Sequence, residues 1–137
     1  MYLVRLIYVS EFKADKSSGE LKNIIENSKL KNKELSITGI LCADGDYYLQ
    51  CLEGARDVIN SLYGKITSDD RHKNVTLLEY TEVTERTFSN WYMNMIVFNA
   101  TTDKLIFKYS VDENFNPYKF SGKTAYNFLK EVSLHNS

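Results

Sequence analysis

Three polar side chains stand out in this sequence because each lies within or beside an apolar segment. Tyr8 is near the end of an apolar run that begins at Leu3, Gln50 interrupts the run 47–52, and Asn32 follows an amphipathic helical pattern. A buried phenol or amide without a hydrogen-bond partner is costly, so each of these groups needs one. If the three converge, they form a small polar site in an apolar slot, which suits a planar polar ligand.

The residue types also indicate what such a site could do. A phenol with a high resting pKa suits proton-coupled oxidation, because loss of an electron makes its proton very acidic. An amide suits a switch, because rotation or tautomerisation exchanges donors for acceptors without creating charge. Structural alternatives remain open: Tyr8 and Gln50 could simply hydrogen-bond each other, and Asn32 could be a helix C-cap.

Other common chemistries lack the necessary residues. The six glycines are scattered and form no phosphate-binding loop. His72 and His135 are far apart, and Cys42 and Cys51 are more typical of small buried hydrophobic residues than of metal ligands. No Ser/His/Asp set indicates a nucleophile, so the sequence does not predict an enzyme.

Length and charge restrict the class of protein further. The 137 residues suit one domain, and 17 Lys+Arg against 18 Asp+Glu lack the basic excess of a nucleic-acid binder. No apolar stretch approaches the ~20 residues that cross a bilayer. The first residues read as a strand and not as a secretory signal, so the two cysteines are expected to be free thiols in the cytoplasm.

The periodicity predicts the elements that must position the three polar residues. Strands are expected at 2–9, 37–43, 47–52, 75–83 and 91–98, and helices at 17–31 (with a Ser17–Glu20 capping box) and 55–67. Asp44-Gly45-Asp46 indicates a hairpin turn. Two short helical patterns follow between residues 101 and 132, joined by a loop over 114–121. Their apolar positions are Leu105, Ile106, Ala125, Phe128, Leu129 and Val132.

This order, βαββαββ with a helical tail, predicts an α+β sandwich with both core helices on one sheet face. Strand parity places Tyr8 and Gln50 on that face. The tail is expected to cover the opposite face, which carries Leu3, Ile7 and Cys51.

Several collinear blocks make the chain similar to a known family. They are Leu6-Ile7-Tyr8-Val9-Ser10, Asn32 with Ile37-Thr38-Gly39-Ile40-Leu41, Tyr48-Leu49-Gln50-Cys51-Leu52-Glu53-Gly54, Ile66 with Asp69-Asp70-Arg71-His72, and Arg86-Thr87-Phe88 with Trp91-Tyr92-Met93. The chain resembles the BLUF family, blue-light sensors that use FAD. The resemblance implies a ferredoxin-like fold with a non-covalent flavin between the two core helices, a flavin-binding core over 1–98 and a C-terminal extension over 99–137.

The resemblance also assigns roles by position. Tyr8 matches the light-driven electron donor, Gln50 the switching glutamine, and Asn32 an asparagine that hydrogen-bonds the flavin ring. Trp91 and Met93 match the photoactive pair of strand five, of which Met93 is expected to contact the flavin. The other expected flavin contacts are Ile24, Ile25 and Ser28 along the slot, and Asp69, Arg71 and His72 near the ribityl and phosphate groups.

The chain departs from the family pattern near the phosphate end. Lys31 replaces a neutral residue before Asn32, Leu30 stands where an arginine is common, and Ser36 replaces a glycine. FMN or riboflavin are therefore alternatives to FAD, and Lys31 could itself meet a phosphate.

The resemblance implies a photoreceptor that signals to another protein, for example a transcription regulator; association with a second copy of the chain is left open. The alternative is a ferredoxin-like small-ligand or RNA-binding module without photoactivity. An RNA binder of this fold would present aromatic and basic residues on an open sheet face, which the tail is expected to cover.

Overall fold

The computed structural model describes residues 2–12, 19–96 and 98–135. The elements in chain order are β1 (Leu3–Glu11), α1 (Glu20–Leu35), β2 (Thr38–Ala43), β3 (Tyr47–Ala55), α2 (Arg56–Thr67), β4 (Lys73–Glu82), β5 (Asn94–Ile96), α3 (Ala100–Tyr109) and α4 (Gly122–Leu134). A short 3₁₀ turn, Pro117–Lys119, interrupts the loop between α3 and α4. The predicted order of elements is confirmed.

The five strands form one mixed sheet in the order β4-β1-β3-β2-β5. β1 is an inner strand between β3 and β4, antiparallel to both, and β5 pairs in parallel with β2. In the β1–β3 register, Tyr8 lies opposite Gln50. The pairing of the two central strands therefore places these side chains next to each other on one face.

Alternation along the strands divides the core into two layers, as predicted. On one face Leu6, Tyr8 and Leu52 pack with α1 and α2. On the other face Ile7 and Cys51 pack with the tail, whose predicted apolar positions are all buried. Leu3, also expected beneath the tail, is partly buried and lies outside that cluster.

The tail is closely seated on the sheet. A Cβ atom at Gly122 would lie 2.4 Å from the Leu78 carbonyl oxygen, so only glycine permits this approach of α4 to β4. The guanidinium of Arg5 lies 3.8 Å from the centre of the Tyr126 ring and 2.7 Å from a carboxylate oxygen of Glu79. The arginine thus links the inner strand β1, the edge strand β4 and α4.

Several predicted boundaries are wrong. β3, predicted over 47–52, continues to Ala55. Helix α1 extends to Leu35 and ends at Ser36, which has a left-handed φ of 56°; Asn32 therefore lies in the last turns of the helix and is not its C-cap. The predicted capping box at Ser17 lies outside the described residues. The strand predicted over 91–98 is confined to Asn94–Ile96, and its residue 97 also lies outside the described part of the chain.

The described residues show neither a helix long and apolar enough to cross a membrane nor a group of three metal-binding side chains.

Candidate functional site

A cavity of about 250 Å³ lies between α1 and α2, above the central strands. This volume is slightly below the ~300–1,000 Å³ that is typical of ligand pockets. All predicted ligand-binding residues except Ile25 and Met93 line it. The structure therefore brings together Tyr8, Ile24, Ser28, Lys31, Asn32, Gln50, Asp69, Arg71 and His72.

Five further residues that the sequence analysis did not assign to the site also line the cavity: Tyr48, Leu52, Leu62, Lys65 and Ile66. Four of them could have been found from the sequence. Tyr48 and Leu52 share a face of β3 with Gln50, and Leu62 and Ile66 share a face of α2 with the buried Ile59. Lys65 carried no such signal.

The innermost feature of the cavity is a hydrogen bond between two buried side chains. The Tyr8 hydroxyl donates to Oε1 of Gln50 over 2.5 Å. Tyr8 is fully buried, and burial, with smaller contributions from Tyr48, Tyr63 and Asp69, raises its pKa well above the usual range. The phenol is therefore neutral throughout the physiological range, and its proton is held on a line towards the amide.

The Gln50 amide is held unequally at its two ends. Its oxygen accepts the short bond from Tyr8, whereas its nitrogen donates to the sulfur of Met93 over 3.3 Å. A thioether is a weak acceptor, so rotation of the amide would break only a weak hydrogen bond at the nitrogen. This arrangement combines a strong donor, a rotatable amide and a weak restraint.

Asn32 lines the same cavity and is also buried. Its Nδ2 donates to the backbone carbonyl of Tyr92 over 2.6 Å, which ties the end of α1 to the segment before β5. Among the described residues none donates to its Oδ1, so that oxygen is available to an N–H group of a ligand.

The other end of the cavity is polar and charged. Arg71 binds the Asp69 carboxylate at 2.6 Å, and the side-chain hydrogen bond from Arg71 lowers the pKa of Asp69 to about 2. Nδ1 of His72 lies 2.8 Å from the Ser10 hydroxyl. Burial is the main cause that lowers the pKa of His72 to about 4, so this imidazole is neutral at physiological pH.

Two lysines add positive charge, Lys31 from α1 and Lys65 from α2. Neither forms an ion pair within the described part of the chain. Leu30, in contrast, is 69% exposed and does not line the cavity. The cavity thus joins an apolar slot to a cationic margin, which suits a planar ring that carries an anionic substituent.

Trp91 and Met93 lie on opposite sides of the sheet. Met93 packs in the cluster beneath α1 and α2, whereas Trp91 stacks on Phe88 with ring centres 6.4 Å apart, against the tail. Residues 91–93 precede β5, so strand parity does not apply to them. Ile25, the remaining predicted contact, is buried beneath α1 outside the cavity wall.

Comparison with known proteins agrees with this geometry. The family model described as "BLUF: Sensors of blue-light using FAD" matches residues 3–94. The chain is similar to a solved structure of BlsA in its photo-activated state, with 27% identity, a TM-score of 0.85, and 95% of this chain and 94% of that chain covered.

Two curated relatives are similar over the same region. The photoactivated adenylate cyclase subunit beta of Euglena longa is 34% identical over 86 residues, 63% of this chain and 10% of that protein. The blue light- and temperature-regulated antirepressor BluF of Escherichia coli K12 is 30% identical over 76 residues, 56% of this chain and 19% of that protein. The chain thus matches only a tenth to a fifth of the length of these relatives.

The family match covers well over half of the chain, including β1 to β4 in full, and it includes the Tyr8–Gln50 pair. The protein belongs to the BLUF family of flavin-binding blue-light sensors.

Proposed function

We propose that this protein is a blue-light photoreceptor in which Tyr8 and Gln50 carry out the photochemistry and a partner protein receives the signal. The observation that carries the proposal is the buried hydrogen bond from Tyr8 to Gln50 at the floor of the cavity. The phenol is positioned to lose its proton to the amide, and the amide is positioned to change partners.

The residues of the cavity fit a flavin. Apolar side chains from both helices, Ile24 and Ile66 among them, flank a slot suited to a flat ring. Gln50 and Asn32 offer amide groups of the kind that the carbonyl and N–H edge of such a ring requires. Lys31, Lys65 and Arg71 would hold the phosphates, which favours FAD, or FMN, over riboflavin.

A bound flavin supplies absorption of blue light and, when excited, an electron acceptor. Tyr8 gives up an electron, and its proton, now strongly acidic, moves along the hydrogen bond to Oε1 of Gln50. When electron and proton return to Tyr8, the amide of Gln50 has turned or tautomerised. Its nitrogen would leave the weak acceptor on Met93 and become available as a donor inside the cavity. This changed environment would give a small red shift of a bound flavin until the amide reverts in darkness.

We further propose that the signal leaves through the C-terminal extension, residues 99–137, while residues 1–98 form the flavin-binding core. The Thr87 hydroxyl lies 2.9 Å from the Tyr126 hydroxyl of α4, and Thr87 belongs to the same segment as Met93. A movement of Met93 therefore has a short route to the tail. The receiver is a cytoplasmic protein, for example a transcription regulator.

No substrate is turned over in this scheme, so the proposed protein is a sensor and not an enzyme. The alternative, an RNA-binding module, is disfavoured because the tail covers the sheet face that such a module would use.

The direct test is the absorption spectrum of the purified protein. We expect oxidised-flavin bands, release of FAD on heating, and a small red shift under blue light that reverses in darkness. A protein that stays colourless after FAD is added, or a bound flavin that blue light does not shift, would refute the proposal.

A further inference from the structure

A second polar side chain of β3, Glu53, lies on the sheet face opposite Gln50 and is completely buried. Its Oε1 accepts from the Thr38 hydroxyl over 3.0 Å and from the backbone N–H of Phe88 over 3.0 Å. Its Oε2 accepts from the backbone N–H of Thr87 over 2.6 Å. A carboxylate is the side chain that can accept all three bonds, because it has two oxygens and no donor.

Arg86 fastens the same segment from outside. Its Nη1 donates to the Thr38 hydroxyl over 2.7 Å and to the backbone carbonyl of Glu53 over 3.1 Å. Its Nη2 donates to the Ser36 carbonyl over 2.7 Å. The Thr38 hydroxyl thus accepts from Arg86 and donates to Glu53, which links the two side chains through one oxygen.

The segment held in this way, residues 86–93, ends at the photochemical site. The Gly39 N–H donates to the Trp91 carbonyl over 3.0 Å. The Tyr92 carbonyl accepts from Asn32, and the Met93 sulfur accepts from Gln50. Met93 is also in close contact with Gly39, since a Cβ there would lie 3.1 Å from the Met93 methyl carbon.

Burial of a carboxylate is unfavourable unless the group is fully hydrogen-bonded. An ionised group without water is stabilised only when its hydrogen bonds are complete, and Glu53 meets that condition with bonds from backbone and hydroxyl donors. Charge-assisted bonds to backbone N–H groups are roughly twice as strong as neutral ones. Glu53 therefore holds the start of the 86–93 segment in a fixed position. The positions of the later residues depend on that start because they follow it directly along the chain.

We infer that Glu53 is a positioning residue for the Gln50 switch: by anchoring residues 87 and 88 it sets where Met93 meets the Gln50 amide. The inference rests on the proposed function, because it assigns Glu53 a role in the light reaction. Loosening the anchor moves the Met93 sulfur relative to Gln50 and so changes the balance between the two amide states.

The test uses the full chain with three substitutions. Glu53→Gln keeps the volume but turns an NH₂ group towards the N–H of Thr87 or Phe88; Glu53→Ala removes all three bonds; and Arg86→Gln weakens the clamp at its exposed side. The matched control is Glu79→Gln, a carboxylate on the same sheet face that pairs with Arg5 and does not contact the 86–93 segment.

Three measurements separate positioning from simple stability. Acrylamide quenching of Trp91, the one tryptophan of the chain, reports the position of the segment in protein with and without flavin. The light-minus-dark flavin spectrum gives the size of the red shift. The dark-recovery rate, taken well below each variant's unfolding temperature, reports the barrier between amide states.

For Glu53→Gln and Arg86→Gln we expect easier quenching of Trp91 and a dark-recovery rate changed about fivefold, the effect of one altered hydrogen bond. Glu53→Ala should show the larger change, and Glu79→Gln should match the unmodified protein. Wild-type quenching, shift and recovery in both glutamine variants would overturn the inference, as would equal changes in Glu79→Gln. Lack of any light response in the unmodified protein would instead refute the proposed function, and the quenching data would still show whether Glu53 positions the segment.

Discussion

Replacement of Tyr8 by phenylalanine is the sharpest test of the proposed photochemistry. Tyr8→Phe removes one hydroxyl group and leaves the ring, which lies between Tyr48 and Tyr63 with ring centres 6.2 Å and 5.8 Å away. The shape of the core is therefore preserved. What is lost is the donor to Gln50 and a ring that can be oxidised together with release of a proton.

The structure sets the size of both effects. Oε1 of Gln50 loses the donor at 2.5 Å, and a buried acceptor without a partner costs ~1–3 kcal/mol. We expect the free energy of unfolding of the protein without flavin to fall by that amount. The effect on the light reaction is larger: a phenyl ring is much harder to oxidise and carries no acidic proton, so the red shift should vanish while flavin remains bound.

Tyr48→Phe is the matched control, because Tyr48 is also buried and lines the cavity but its hydroxyl makes no bond to Gln50. Chemical denaturation gives the stability of each variant, and difference spectra under blue light give the red shift. We expect Tyr48→Phe to cycle and Tyr8→Phe not to. A normal red shift in Tyr8→Phe would refute the assignment and move the electron donor to Tyr48, Tyr63 or Trp91.

Four further results are expected. Gln50→Leu keeps the volume but removes every amide hydrogen bond, so difference spectra should show bound flavin without a reversible shift. Asn32→Ala removes one hydrogen-bonding group from the cavity, and equilibrium dialysis should show flavin affinity lowered about 2- to 10-fold. Lys31→Ala should weaken binding of FAD and FMN and leave riboflavin binding unchanged; equal loss for all three would contradict a phosphate contact. The pKa of His72 in the folded protein, about 4, lies below the usual value of about 6.5, so the unfolded chain binds a proton first as the pH falls. The free energy of unfolding of the flavin-free protein should therefore decrease as the pH is lowered from about 6.5 to about 4. In His72→Gln the free energy of unfolding should depend less on pH over this range.

The sequence predicts the central part of this site well because strand parity is a strong constraint. Alternation groups Tyr8 with Val4 and Leu6, and Gln50 with Tyr48 and Leu52, so each polar residue shares a face with apolar neighbours of its own strand. Their direct pairing needed the β1–β3 register, which the sequence does not specify. The parallel pairing of β2 with β5 could not be predicted from the sequence either, because β5 has only three residues.

The misplaced features have local physical causes. The segment after Lys31 contains residues that favour helix, and the chain leaves α1 only where Ser36 adopts a left-handed conformation that usually belongs to glycine. The serine itself does not predict that, and the signal in the sequence is that Ser36 stands where the family pattern has a glycine. Trp91 and Met93 were assigned to one strand, but both precede β5, and each side chain packs in a different layer.

Glu53 is the residue that sequence reasoning could have found and did not. It lies in the same apolar strand as Gln50, where a buried carboxylate needs hydrogen-bond partners as much as a buried amide does. The two side chains lie on opposite faces of β3 and are satisfied to different degrees. Both carboxylate oxygens of Glu53 accept hydrogen bonds from N–H or O–H donors. The amide nitrogen of Gln50, in contrast, donates to a sulfur atom, which is a weak acceptor.

Under the proposed mechanism, this contrast would let a rigid sheet contain one side chain that moves. A fully bonded carboxylate has no second arrangement of similar energy, so Glu53 fixes the segment that carries Met93. An amide with one strong and one weak partner does have such an arrangement, so Gln50 can turn without unfolding its surroundings. Because both residues lie on one strand, the fixed side chain and the movable one keep a constant spacing. Under the proposed mechanism, a change at Gln50 would therefore displace Met93, whose backbone is held, and would pass on towards Thr87 and the tail.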